Sequence, residues 1–450
     1  MLRKLFSVVD MTEGAPWKKL ALFTVPLLIG NIFQQAYSTA DAIMLGHFIG
    51  DNALAAVGAI IPIFFLIMVL LMGISMGTGI MISQYHGAGE KELLSRAIGA
   101  GISIITIVSL IIMLIGPFVT RPLLVLMSTP DNILDDAVVY ANILVIGVLG
   151  MAYFNILSGI LRGLGDSIWP LIALIVTSIL NIGFNFYFIG ILEMGVFGAA
   201  LGTVIAQAIS SIICFVRLLN MKNAFDFKTE YLLPKKEQIT QSLKLGVPTG
   251  ASQAIYALAM MVTQPLVNGF EEAFIATWVI VMRIDAFVMM PNFSFGTAMT
   301  VYTGQNIGAK RLDRVYKGLK QCCFMAFSIA LVIMIGLLAF NAEIAGIFSD
   351  TPEIIENAGR YLWILAPGYI LFSINMAVWG LIRGAGDAIS PLWGAFINTI
   401  IVRLPTAYLL VYFMESPDGL FYSLLIAWIT NMILGLLVYA NGKWKRAAII

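Results

Sequence analysis

Apolar runs of about 20 residues or more follow one another along this chain from end to end, broken by short segments that gather most of its charge and turn residues. A helix rises about 1.5 Å per residue, so each run is long enough to cross a hydrocarbon core of about 30 Å. Read between the polar breaks, the pattern predicts twelve helices, at 18–46, 53–83, 97–117, 138–160, 168–190, 196–218, 246–269, 273–301, 320–341, 360–381, 391–413 and 419–441. The short alternating segments of a membrane barrel are absent, so the predicted class is an all-α integral membrane protein. The first apolar run is too long for a cleavable signal and lacks its small-residue cleavage pattern. The mature chain is therefore expected to start near Met1.

Composition agrees: 60% of the 450 residues are hydrophobic and 11% charged, against about 25% charged in ordinary soluble proteins, and mean hydropathy is +0.93. Charge then orients the helices. With the N-terminus inside, the inner segments hold most Lys and Arg, among them Arg3, Lys4, Lys91, Arg162, Arg217, Lys222, Lys235, Lys310, Arg383 and Lys443. Only Arg121 and Arg360 fall in outer loops, and Arg283 and Arg403 fall within helices. The positive-inside rule then gives N-in, C-in topology and an even number of spans. The expected location is the cell inner (plasma) membrane, multi-pass. Cys214, Cys322 and Cys323 have no metal spacing with a histidine, and His47 and His86 are isolated near helix ends, so no resident metal is expected.

Laid on itself, the chain repeats. "GILRGLGDSIWP" (159–170) answers "GLIRGAGDAISP" (380–391), with Gly159 falling on Gly380 and Pro170 on Pro391. In the same register "SQYHGAGE" meets "TGQNIGAK", and Pro26 meets Pro248 with a one-residue slip. Six helices separate the copies, so both halves share one orientation, with a pseudo-twofold axis along the membrane normal. The expected organisation is an N-lobe of six helices (1–218), a cytoplasmic linker (219–245) and a C-lobe of six helices (246–450). Parallel six-helix halves are a transporter pattern; a duplicated receptor or assembly scaffold is the bland alternative. The Arg-x-x-Gly-Asp loops at Arg162–Asp166 and Arg383–Asp387 read as tight turns whose charges pair across them, a hinge or latch outside the substrate site.

The polar residues inside the apolar runs carry the candidate chemistry. In "NIFQQAYSTADAIMLG" (31–46), Asn31, Gln34, Ser38 and Asp41 line one stripe of the first helix, with Tyr37 beside them. Thr177, Asn181 and Asn185 do the same on the fifth helix, and Thr203, Gln207 and Ser210 on the sixth. Such stripes must face protein or water. A carboxylate at Asp41 is costly unless protonated, paired or bound to a cation, so its default reading is functional, and a structural acid held by amide donors is the alternative. Asp41 with Asn181, Asn185 and Thr203 offers oxygens to Na⁺, and burial would equally let Asp41 carry a proton. No acid occupies the matching place in the second half, near Thr263, where Gln253, Tyr256 and Gln264 read as substrate contacts. The eighth helix carries Arg283, Asp285 and the kinking residue Pro291. Arg403 is the candidate partner of Asp285; a structural ion pair and a gating or substrate-binding acid both fit. Met260, Met261, Met282, Met289, Met290 and Met299 suit an adaptable cavity as well as they suit core or lipid-facing filler. No zinc spacing or P-loop is present, which argues against a metalloenzyme and against ATP-driven transport by this chain.

"QQAYSTADAIMLGHFIGDNALAAVG", the two "LRGxGD"-type loops, "QNIGAKRLDR" and "LNIGFNFYFI" followed by "GVFGAALGTVIAQ" together resemble the multidrug and toxic compound extrusion (MATE) transporters, in their bacterial DinF-like branch, over the whole chain. The resemblance implies an antiporter that exports amphipathic, often cationic compounds in exchange for H⁺ or Na⁺, without cofactor, nucleic-acid partner or need of a second chain. Its cavity would lie between two lobes in contact with membrane lipids. It implies a cation or proton site at Asp41, Asn181, Asn185 and Thr203, and a first helix that bends around Pro26. The candidate substrate-cavity residues are Asn31, Gln34, Tyr37, Ser38, Gln207, Gln253, Tyr256, Met260, Arg283, Asp285, Met289 and Arg403. Asn185 departs from the family pattern, which usually has aspartate there; this leaves one intramembrane carboxylate in the lobe and opens a single-proton carrier. The broader superfamily includes lipid-linked oligosaccharide flippases, so a lipid-linked or small-metabolite cargo is the alternative.

Overall fold

The computed structural model describes residues 8–221, 224–226 and 228–449. Arg3, Lys4 and Lys222, counted above among the inner cations, lie outside them. The described residues form helices and no strand. In order these are α1 (Pro16–Phe48), α2 (Asp51–Ala88), α3 (Lys91–Leu126), α4 (Asp131–Ile146), α5 (Val148–Gly163), α6 (Ile168–Asn185), α7 (Gly195–Leu219), α8 (Lys236–Asn268), α9 (Glu272–Gly308), α10 (Leu312–Ala339), the short α11 (Asn341–Gly346), α12 (Pro352–Gly384), α13 (Ile389–Phe396), α14 (Leu404–Met414) and α15 (Asp418–Asn441). A π-helical segment, Phe186–Ile191, prolongs α6, and a second, Ile397–Arg403, joins α13 to α14.

Among the described residues eleven helices are long and apolar enough to span a membrane, counting α6 and α13–α14 through their π segments, and the bent pair α4–α5, taken as one span, makes a twelfth. The predicted fourth helix is thus not a single rod: it begins at Asp131 and bends by 49° at Gly147. A Cβ at Gly147 would meet the Val204 side chain of α7 at 2.3 Å, so α7 packs against the break where no side chain stands. Several other helices outrun their predicted ends, α3 by six residues at its start and nine at its end. Hydropathy registers the lipid-matched part of a helix, whereas backbone hydrogen bonding continues past it through polar residues.

The chain divides into two compact units, one of residues 1–10 and 25–250 and one of residues 11–24 and 251–450. The boundaries fall inside α1 and α8, beside Pro26 and Pro248. The unit 1 core gathers Leu45, Ile60, Leu124, Tyr140, Leu144 and Ile189. The unit 2 core is more aromatic, with Phe274, Trp278, Tyr361, Tyr369, Phe421 and Trp428. Unit 2 also holds the segment after Asp10. Asn306 Nδ2 and Arg314 Nη2 both donate to the Met11 carbonyl, at 3.0 and 3.1 Å, and the Met11 amide donates to Gln305 Oε1 at 3.0 Å. The "QNIGAKRLDR" segment therefore anchors the start of the chain.

Each unit is built on the same close helix crossing. In unit 1, Gly159 and Gly163 of α5 press on the backbone of α2 at Ser75 and Gly79. In unit 2, Gly380 and Gly384 of α12 press on α9 at Gly296 and Thr300, which are the matching positions of the internal repeat. A Cβ on any of the four α5 and α12 glycines would stand 2.2 to 2.8 Å from a backbone oxygen of the partner helix. Without a hydrophobic driving force between helices in lipid, such small-residue contacts supply the packing that holds them.

The repeated loops follow directly. Gly165 and Gly386 both take left-handed φ, +92° and +102°, which turns the chain sharply enough for the next carboxylate to cap the next helix. Asp166 Oδ1 accepts from the Ile168 and Trp169 amides at 3.3 and 3.2 Å, and Asp387 accepts from the Ser390 amide at 2.9 Å and its hydroxyl at 2.6 Å. The expected pairing across the turn is corrected here. Asp166 pairs with Arg217 of α7 at 2.8 Å, while Arg162 turns its Nε to the Ser158 carbonyl at 3.1 Å.

If the crossing carries unit 2, Gly384→Ala should lower stability by about 1–3 kcal/mol through overpacking against the Thr300 carbonyl. Gly336→Ala on α10, where a Cβ meets nothing within 4 Å, should be neutral or stabilising by up to about 1 kcal/mol. Thermal unfolding of the two purified variants separates these outcomes.

Candidate functional site

Asp41 stands in the apolar α1, half-buried. A charged residue at a helix centre in the membrane costs about 2.5–3.5 kcal/mol on insertion scales, so the groups around it matter. Asn185 Nδ2 donates to Asp41 Oδ1 at 2.5 Å and also to Asn181 Oδ1 at 3.0 Å. Asn181 Nδ2 in turn donates to Thr203 Oγ1 at 3.0 Å, and that hydroxyl donates to the Ala199 carbonyl at 3.1 Å. Asn185 thus donates both ways, to Asp41 of α1 and into a chain through Asn181 to Thr203 of α7, and its amide and hydroxyl members are all buried.

Local structure explains the reach. Asn181 and Asn185 are one turn apart on α6, and Asn185 is its last α-helical residue before the π segment; π-bulges recur at functional sites. Gly202 of α7 lets the Asn185 side chain in, since a Cβ there would stand 2.7 Å from Asn185 Oδ1. That oxygen is buried and accepts no hydrogen bond. Tyr37 lies beside Thr203 and Asp41, and the buried Tyr140 brings its phenol within electrostatic reach of Asp41 and Tyr37. Tyr140 and Gly202 escaped the sequence reading: an aromatic residue at helical spacing and a glycine in a glycine-rich helix carry no local signal.

The four expected coupling residues therefore come together in unit 1. The rest of the α1 stripe does not join them: Gln34 and Ser38 are exposed, and the Ser38 hydroxyl turns back to the Gln34 carbonyl at 3.1 Å. Asn31 and Gln207 are half-buried, and α1 runs through the buried Pro26 as one helix. Ser210 and Thr177 both spend their hydroxyls on the Ala173 carbonyl, at 3.2 and 2.7 Å.

In unit 2 the expected cavity residues part company. Gln253 and Met260 are exposed and Tyr256 half-buried on α8. Met289 is core, packed among the aromatic residues, and Pro291 is buried inside α9. Arg283 and Asp285 diverge, as residues two apart on a helix must. Arg283 is exposed at a groove of about 490 Å³ with Glu272, Ile275, Val279, Phe348 and Ile354. Asp285 turns toward Tyr369 and Arg403. Arg403 is the charge facing Asp285, yet no ion pair within 4.0 Å forms, and Asp285 Oδ1 has no hydrogen bond. Among the described residues no group of three His, Cys, Asp or Glu side chains is placed to hold a metal ion.

The MatE family profile matches the chain twice, over residues 26–187 and 248–409. Curated relatives include the probable multidrug resistance protein YoeA of Bacillus subtilis, 28% identical over 446 residues that cover 97% of this chain and 96% of that one. The probable multidrug resistance protein NorM of Thermotoga maritima is 25% identical, covering 96% and 94%. Among solved structures, a crystal structure of MATE in the bent conformation superposes with a TM-score of 0.90 at 24% identity, over 98% of each chain. The two matched segments start at Pro26 and Pro248, the pair of prolines that the internal repeat aligns. Twice matched along its length and folded as those structures are, this multi-pass membrane protein belongs to the MatE family.

Proposed function

We propose that the chain is a secondary active multidrug exporter that moves amphipathic, cationic compounds outward by alternating access in exchange for H⁺ or Na⁺, with Asp41 as the coupling group. The observation that carries this reading is the Asp41 carboxylate in an apolar helix of a MatE-family chain, answered by the amide of Asn185. Asn181, Asn185 and Thr203 position it. In this reading residues 1–218 and 246–450 act as two lobes joined by 219–245, one chain suffices, and the bend of α1 is at Pro26.

The direction of the hydrogen bonds supports a proton over Na⁺. Na⁺ binds through oxygens, whereas Asn185 presents its N–H to Asp41, and Asn181 offers its oxygen to Asn185. A cation would require Asn185 to turn over, since Asn181 already directs its oxygen there. A proton on Asp41 Oδ2 requires no such turn, because Oδ1 still accepts from Asn185 as a neutral carbonyl oxygen, without the strength of the charged bond. Either change weakens the hold of α6 on α1, which is what a bend of α1 needs.

Inside-out vesicles loaded with native protein should move a fluorescent cationic dye under an imposed pH gradient and not under a Na⁺ gradient, and Asp41→Asn should abolish that movement. Dye movement by well-inserted Asp41→Asn protein would remove Asp41 from the coupling role. Asn185→Asp places a second carboxylate against the first; like charges at this separation cannot both ionise without a cation. Na⁺-driven transport should therefore appear in that variant. Gly202→Ala displaces Asn185 without changing any ionisable group. It should cut pH-driven export at least about tenfold if the hydrogen bond is worth about 1.5–3 kcal/mol to the coupling step.

A further inference from the structure

Unit 2 contains a second polar cluster, and its charges do not balance. Arg403, at the end of the π segment Ile397–Arg403, and Arg383, in the last turn of α12, both lie within electrostatic reach of the Tyr256 hydroxyl on α8. Tyr256 also sits beside Asn431 of α15, which accepts from Trp379 Nε1 at 3.1 Å. The carboxylate in this neighbourhood is Asp285, which faces Arg403 and Tyr369. Neither arginine has an ion pair among the described residues, and Arg383 Nε is buried without a partner. Asn375, beside Gly435 of α15, leaves both its amide nitrogen and its oxygen buried and unpartnered, and Asn398 and Thr399, on the π segment of Arg403, leave their side-chain oxygens so.

The great majority of buried polar atoms in proteins are paired, and Arg383 and Arg403 stand half-buried between apolar helices without a counter-ion in contact. Two guanidinium groups against one carboxylate leave one positive charge uncompensated. Arg's planar fork is suited to carboxylate and phosphate oxygens.

The internal repeat isolates what is special here. Arg162, the counterpart of Arg383, gives its Nε to the Ser158 carbonyl, where Arg383 Nε has no partner. In the register that sets Gly159 on Gly380, the first-copy counterparts of Asp285, Asn375, Arg403 and Asn431 are Phe64, Phe154, Ile182 and Ser210. Chemistry-bearing side chains have thus replaced mostly apolar ones at four matched places, on four different segments, and they meet in one neighbourhood. A structural ion pair would need only two of them and would leave no orphaned donors.

We propose that unit 2 carries a binding site for a singly charged anionic group, a carboxylate or a phosphodiester, engaged by Arg403 and Arg383 with Tyr256 and Asn431 completing its hydrogen bonds. This goes beyond the cation-coupled exporter and does not depend on Asp41. The anion is either part of a free amphipathic solute or a lipid headgroup; both present the same oxygens.

The test measures binding, not export, so it stands apart from the coupling reading. Native protein in the uncharged detergent dodecyl maltoside, which presents neither a carboxylate nor a phosphodiester, is unfolded thermally with benzoate or its neutral isostere benzamide, and again in mixed micelles containing phosphatidylglycerol. Saturating benzoate should raise Tm by about 2–4 °C and benzamide should not. Arg403→Met and Arg383→Met should each lose the shift. Asn431→Asp, which supplies a carboxylate from within, should raise the ligand-free Tm and abolish the benzoate response. It also decides the matter if the arginine variants do not fold. A phosphatidylglycerol-dependent Tm rise that removes the benzoate response assigns the site to a lipid headgroup; a benzoate response undiminished by phosphatidylglycerol assigns it to a solute. Equal shifts with benzoate and benzamide, no shift with either anion, or an undiminished benzoate response in Asn431→Asp would overturn the proposal.

Discussion

A carboxylate in an apolar helix has to be met by donors that the protein itself supplies, and in this chain that constraint is answered by one hydrogen bond, from Asn185 to Asp41. Much of unit 1 serves it. The Asn185 amide is aimed by its second N–H, which holds Asn181, and Asn181 is aimed by Thr203. The absence of a side chain at Gly202 gives the amide its room. Because every link is a donor spent on the next acceptor, moving one group reorients the next, and a charge change at Asp41 is felt as far as α7.

Such a chain holds its geometry only if the helices bearing it are rigid elsewhere. The glycine crossings provide this: with backbones pressed together at Ser75–Gly159 and Gly79–Gly163, α5 cannot slide on α2. The turn after α5 is then fixed by Gly165 and by Asp166, which caps α6 and ties it to Arg217 of α7. The helices that carry Asn181, Asn185 and Thr203 are thus clamped together at the end away from Asp41. The 3% exposure of Asp166 marks it as part of that clamp, because an ion pair so placed is strongly destabilised if either partner is lost.

How much of this was legible depended on how far apart in the chain the cause of each feature lies. The spans, the repeat and the polar stripes are properties of neighbouring residues, and Asn181, Asn185 and Thr203 stood out because amides and hydroxyls recurred at helical spacing in apolar runs. The bend at Gly147 depends on Val204, and the pairing of Asp166 depends on Arg217. Periodicity carries no information about such distant partners. The π segments were hidden for a different reason: an extra residue in one turn does not alter hydropathy. Helix ends were read too short because lipid matching, not hydrogen bonding, sets the apolar signal.

The two copies have kept their backbone and exchanged their charge. Both retain the glycine crossing, the left-handed turn and the capping aspartate, each of which acts on the backbone and so tolerates little substitution. The side chains away from those contacts were free to diverge, and they did so in opposite senses: unit 1 meets a carboxylate with an amide donor, whereas unit 2 sets Arg403 toward a carboxylate and adds a second guanidinium, Arg383, beside Tyr256. A donor network of neutral amides leaves a carboxylate free to gain or lose its charge, since nothing nearby is left unbalanced when it does. A network with two fixed cations is unbalanced in either state of Asp285, and becomes more so when that charge is lost. The duplicated frame therefore gives one place suited to changing its own charge and one suited to receiving charge from outside.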